Sequence, residues 1–381
     1  MRASPRPAVL AATLLLAVVA GCTTPAAAAP DPGRCGARIA VIGPRTGESQ
    51  NLGRYIYEGA LLAVEEHTAA NPKCPVGLVD VDSQGDPKQA PELAQQVVAD
   101  PTIVGVVGPA FSGESQAADP ILNQGGVSLI TPAATEPSLS ARGWSTFHRI
   151  VGSDAAQGPA AGRYIAGVLH ASKVFVIEDA SPYGRGLAER VINSLGPLVV
   201  QSASAAPSLV TFRSVVDEVR SAAPDVVFFG GYYSQAGRLL GELRAAGVSA
   251  TFVSGDAVKD DGFIQAAGVR AADGAVLTCT CKPPQHDPAF AARYRARFGH
   301  EPGTNGAEAY DAATVFLKGI DAGHTTRPRM EDFVDSYSGP GSSAWIRFTG
   351  NGELVDSSVT VWAYRVRGGQ IVAEDHPIPS S

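Results

Sequence analysis

The sequence predicts an α/β chain folded as two lobes, each a parallel sheet flanked by helices. Short, nearly continuous runs of Val and Ile alternate with helix-sized segments, and the alternation restarts part-way along the chain. At 381 residues the chain is also longer than one hydrophobic core usually serves.

In the first block the strand-like runs are Ile39 to Ile42, Leu78 to Val81, Ile103 to Val107 and Val127 to Ile130. They are nearly continuous apolar runs, rich in Val and Ile, as strands buried on both faces should be. Between them lie Tyr55 to Thr68, Gln89 to Val98 and Ser115 to Asn123, each long enough for a helix. After Phe147 to Val151 the pattern restarts with a helix at Ala155 to Leu169. Strands follow at Val174 to Ile177, Leu198 to Gln201, Val226 to Phe229 and Phe252 to Ser254, separated by helices at Leu187 to Leu195, Ser214 to Ala222 and Gln235 to Ala245. Ala275 to Thr278 opens a third stretch with helices at Ala289 to Phe298 and Ala307 to Ile320. The end changes character: Trp345 to Phe348, a turn at Thr349 to Gly352, a long strand, and a second turn at Gly368-Gly369. An antiparallel tail after an α/β body implies that the chain crosses back between lobes. The expected division is residues 37–152 with 280–357 in lobe 1, and 153–279 with 358–376 in lobe 2, joined by hinge crossovers.

The first residues carry Arg2 and Arg6, then an apolar run from Val9 to Ala20. A spanning helix needs roughly 18 or more apolar residues, so residues 1–21 read as a cleaved export signal. Val19-Ala20-Gly21-Cys22 resembles the lipobox of bacterial lipoproteins. That resemblance implies cleavage before Cys22 and a lipid on its sulfur, with residues 22–36 as the lipidated tether. The net charge of −7, with no basic block, argues against nucleic acid as a partner. Arginine in excess of lysine, with abundant Ala and Gly, points to a GC-rich bacterial genome. The expected location is the outer face of the cell membrane, in a Gram-positive cell, and the expected state a monomer.

Four cysteines remain. Cys35 and Cys74 stand just before the first and second strand-like runs; if those strands are parallel neighbours, a bridge between their leading ends is easy. Cys279 and Cys281 then pair with each other or stay reduced. A metal site with His286 as third ligand lacks a fourth, and no metal is expected. Enzyme signatures fail on inspection. Gly43 to Glu48 has the glycines of a phosphate loop without its Lys-Ser/Thr. Gly184-Arg185-Gly186 is too short for a dinucleotide fingerprint, and no Gly-x-Ser-x-Gly elbow occurs. Binding rather than catalysis, without a cofactor, is the expected role.

Ligands of open α/β sheets bind outside the carboxyl ends of the strands. The loops there are Gly108 to Gln116, Thr131 to Pro137, Gly230-Gly231-Tyr232-Tyr233 and Ser254-Gly255-Asp256. Together with Asp86 to Ala90, Ala156-Gln157-Gly158-Pro159 and Ser181-Pro182-Tyr183-Gly184, they resemble the leucine/isoleucine/valine-binding proteins of branched-chain amino acid ABC transporters, a type I periplasmic binding fold. The likeness runs from about Ile39 to Tyr364. It implies that Ser112 and nearby amides hold a ligand's α-carboxylate, and that Thr135 bonds carboxylate and ammonium. The Ala133 carbonyl and Asp256 would receive the ammonium, while Tyr183 and Tyr232 close over the ligand. Closure would present the joined lobes to a membrane permease.

Each assignment has a plainer rival. Ser112 and Asp256 could be helix caps, Thr135 a turn residue and Tyr232 or Tyr233 packing. Glu114 and Glu136 read as solvated charges. The sequence departs from the family at Leu52, where an aromatic is expected, and at Phe111, which replaces a small Cys, so the family's usual disulfide cannot form. Asp256 is one methylene shorter than the usual Glu. Leu52 and Phe111 still suggest an apolar side-chain pocket that distinguishes Leu, Ile and Val poorly. Open alternatives are another amino acid, an amide or urea as cargo, or a sensor that signals to a membrane receptor.

Overall fold

The computed structural model describes Met1, residues 33–206 and residues 209–379. The signal, Cys22 and the tether as far as residue 32 lie outside the described residues. No helix among the described residues is long and apolar enough to cross a membrane.

Lobe 1 is built on β1 (Arg38–Gly43), β2 (Gly77–Asp82), β3 (Ile103–Val107), β4 (Ser128–Thr131) and β5 (Phe147–Arg149), all parallel, in the order β2-β1-β3-β4-β5. Helices α1 (Gln50–Ala70), α2 (Ala90–Ala99) and α3 (Ser112–Gln124) connect the first four strands. Every residue of β3 and β4 is buried, the polar Ser128 and Thr131 included, whereas β2, at the sheet edge, is only partly buried and exposes Asp80.

The chain then passes to a second, seven-stranded sheet ordered β14-β13-β10-β9-β8-β6-β7. Its elements begin with α4 (Asp154–Arg163), β6 (Val174–Glu178), α5 (Pro182–Leu195), β7 (Val199–Ser204) and α6 (Arg213–Ala222). They continue with β8 (Val226–Gly230), α7 (Tyr233–Ala245), β9 (Thr251–Ser254), α8 (Asp261–Ala267), α9 (Val269–Ala272) and β10 (Val276–Cys279). After β10 the chain returns to lobe 1, where α10 (Pro288–Phe298) and α11 (Gly306–Asp321) pack on α1, and α12 (Arg327–Ser336) packs on β3 and β4. A two-stranded ribbon, β11 (Ser338–Pro340) with β12 (Trp345–Arg347), precedes the last passage. The chain then re-enters the second sheet as the antiparallel pair β13 (Trp362–Arg367) and β14 (Gln370–Ala373).

Three boundaries differ from the sequence reading for local reasons. Helix α5 starts at Pro182, not Leu187, because Ser181 caps it through Gly184 N–H at 2.9 Å and Pro182 fits the first helical position. The stretch expected as one helix to Leu169 leaves α geometry at Tyr164 for a π turn, Tyr164–Val168. The long strand expected after Gly352 is interrupted by a 3₁₀ turn, Asp356–Ser358, and begins only at Trp362.

Both cysteine pairs are bridged. Parallel pairing of β1 and β2, with Arg38 opposite Gly77, brings Cys35 and Cys74 to a Cα separation of 4.6 Å. Cys279 bonds Cys281 at the end of β10. With those thiols bonded to each other, neither is free for a metal, and the His286 ring packs on Trp362 instead, centroids 4.6 Å apart.

Candidate functional site

At the carboxyl ends of both sheets the lobes face each other across a small enclosed cavity. Its walls are Leu52, Phe111, Ser112 and Ala133 from lobe 1, Tyr183, Tyr232, Asp256 and Ala257 from the second sheet's loops, and Asn305 at the start of α11. Seven of the eight residues expected at the site therefore meet. The eighth, Thr135, is fully buried but does not form part of this wall.

Ser112 is the first residue of α3 rather than its cap, a position filled by Phe111. Its hydroxyl accepts from Glu136 N–H at 3.2 Å and so ties the two lobe-1 loops together. The helix N-terminus at that point offers partial positive charge to an anion. Glu114, expected as a solvated charge, is fully buried: its carboxylate accepts from Phe111 N–H at 2.9 Å and closes the start of α3. Burial pushes that carboxyl up to about 7. Glu136 is half-buried rather than free, its carboxylate accepting from Ser138 N–H at 3.1 Å.

Sequence reasoning missed Arg149. Its side chain is wholly buried behind the Ala133–Glu136 loop, donating to the carbonyls of Ala134 (2.9 Å) and Glu136 (2.8 Å) and to both oxygens of Glu353. The loop's backbone is thereby fixed from beneath. Thr135 gives its carbonyl to Asp154 N–H at 2.9 Å, and its side chain acts on the Asp154 carboxyl, so both of its polar groups face that residue.

Opposite stands Asp256, buried, accepting from Tyr183 Oη at 2.7 Å and Gln157 Nε2 at 3.3 Å. Gly255 permits this approach, since a Cβ there would stand 2.4 Å from the Tyr183 hydroxyl. Gln157 donates to the Thr278 carbonyl at 3.0 Å; it lies in a motif that carried the resemblance, yet nothing in that motif points to this role. Burial raises the Asp256 carboxyl. The buried Asp154 carboxyl is raised well above the usual range by burial and then by Asp256 nearby, with the Thr135 side chain acting the other way. Two buried acids beside one cavity favour a cationic group there.

The aromatic wall crosses between lobes. Phe111 lies 4.7 Å from Tyr232, and Tyr232 lies 5.5 Å from Tyr183, centroid to centroid. Tyr233 turns away and packs against Gly262.

A family model described as periplasmic binding protein matches residues 36–359. The chain belongs to the periplasmic binding protein family. Among its relatives, the leucine-, isoleucine-, valine-, threonine-, and alanine-binding protein of Pseudomonas aeruginosa is 30% identical over 86% of this chain and 89% of that protein. An amino acid binding protein of the same organism is 36% identical over 60% of this chain and 63% of that protein, so under two thirds of its length is matched. The leucine binding protein of Thermotoga maritima superposes with a TM-score of 0.82 at 26% identity, over 90% of this chain and 98% of that one. The branched-chain amino acid transporter substrate binding protein of Streptococcus pneumoniae, in complex with isoleucine, superposes with a TM-score of 0.83. At 24% identity, covering 90% of this chain and 99% of that one, it shares the fold of this periplasmic binding protein.

Proposed function

We propose that this periplasmic binding protein is the extracytoplasmic solute-binding component of an ABC importer, taking up free α-amino acids with branched aliphatic side chains and presenting them to a membrane permease. One observation carries the reading. Across a single cavity, Ser112 at a helix N-terminus, suited to a carboxylate, faces the buried acid Asp256, suited to an ammonium. Ala133 and Thr135 complete the head-group side, Tyr183 and Tyr232 cover it, and Leu52 with Phe111 form the apolar side. Several relatives are named for leucine, isoleucine and valine, which supports this choice of cargo.

In this reading the lobes part and close about crossovers near residues 152, 280 and 358, and the closed form is the bound form. The protein acts as a monomer, held to the membrane by lipid on Cys22. Calorimetric titration with the twenty amino acids tests the proposal: heat of binding with leucine, isoleucine or valine is expected. A response only to urea or a simple amide would overturn it.

A further inference from the structure

We infer that Asn305 reads a hydrogen-bond acceptor on the ligand's side chain, so that the protein prefers a hydroxyl-bearing amino acid, threonine, over its isostere valine. The inference rests on the amino-acid reading above and narrows its side-chain half.

Asn305 precedes α11 in the left-handed region, at φ +63°. Asn tolerates that conformation better than most residues, but glycine adopts it with no steric cost, so the backbone alone does not demand an amide. An Asn at a helix start ordinarily spends its side chain on an N–H of the first turn. Asn305 makes no such bond. The residue lines the cleft cavity and a second pocket beside it, is only 4% exposed, and has its Nδ2 shielded from solvent with no hydrogen-bond partner.

The neighbouring walls do not relieve this donor. Leu52, Phe111 and Ala257 have no side-chain acceptor. Ser112 already accepts from Glu136 N–H, and Asp256 from Tyr183 and Gln157. An unpaired buried N–H is costly, and a ligand acceptor removes that cost. A bound amino acid's carboxylate and ammonium are claimed by Ser112 and Asp256, which leaves the side chain to supply the acceptor. Threonine supplies a hydroxyl at Cβ. Valine fills the same shape with a methyl and leaves Nδ2 unpaired.

The test is parallel calorimetric titration of the intact protein with threonine and with valine, repeated on Asn305→Gly, which keeps the left-handed backbone unstrained. Threonine is expected to bind the native protein roughly tenfold or more tightly than valine, and the ratio to fall to within about twofold in the variant. Equal affinity in the native protein, or a ratio unmoved by Asn305→Gly, overturns the inference while leaving the amino-acid reading intact. If neither ligand binds and no other amino acid does, both fall.

Discussion

The two halves of the cleft are built on opposite plans. In the polar half nearly every group is held from behind: Ser112 by Glu136, Asp256 by Tyr183 and Gln157, the Ala133 loop by Arg149. In the apolar half, Leu52 and the Phe111 ring, packed on Tyr232, offer no side-chain hydrogen bond, and Asn305 has an amide nitrogen without a partner. Hydrogen-bonded groups are fixed in direction, whereas packed rings can exchange for others of similar volume. The polar half should therefore resist substitution sharply, and the apolar half should change preference without losing binding.

The largest effect expected concerns the floor of the polar half. The Glu114 carboxyl is raised from 4.5 to about 7 by burial, so its proton stabilises the fold fully below about 4.5, and that contribution is lost as pH rises through about 7. Glu114→Gln keeps an acceptor for Phe111 N–H and has no charge to bury. Near pH 8 it should be more stable than the native protein by on the order of 3 kcal/mol, the gap closing toward about pH 4.5, as urea melts at several pH values would record.

Next comes Asp256→Asn, which should weaken amino-acid binding about 10- to 100-fold, from loss of a charge-assisted bond of ~1.5–3 kcal/mol, with the fold retained. Because burial raises the Asp256 carboxyl, native affinity should fall as pH is lowered and the acid takes up its proton. The Asn variant should show a flatter profile by calorimetry, and an equally steep one would move the ammonium partner elsewhere, with Asp154 the first suspect.

Ser112→Ala should cost less, about 0.5–1.5 kcal/mol of binding, since Glu136 N–H also loses its acceptor. Unchanged affinity would mean that the hydroxyl serves the loops and not the ligand. Smallest is Phe111→Leu, expected to shift the order among valine, leucine and isoleucine by a few-fold while total binding persists. A large uniform loss would instead place Phe111 among the rigid parts and erase the contrast between the halves.

The contrast also separates what could be read from the sequence. Strand runs such as Ile103–Val107 were legible because burial on both faces leaves no polar interruption. The helix α12 was not, because its ten residues bury only Met330 and Val334 among charges, too few for a visible period. Ser112, Asp256 and Tyr183, which line the cavity, were singled out through motif and loop position. Glu114 was misread because a capping acid and a solvated acid look alike until the surrounding chain is in place. Arg149 and Asn305 escaped for a related reason. The first is defined by Glu353, some two hundred positions away, and the second by a backbone angle and a cavity shared with the other lobe.

The passages between sheets meet at one point. Thr280 donates to the Gly152 carbonyl at 3.0 Å, and a Cβ on Gly152 would lie 2.5 Å from Val359 and 3.0 Å from Thr280. In the proposed closing motion this close contact would be the pivot between the lobes. A side chain larger than hydrogen at residue 152 would act as a doorstop, altering how far the molecule opens without touching any residue that faces the cargo.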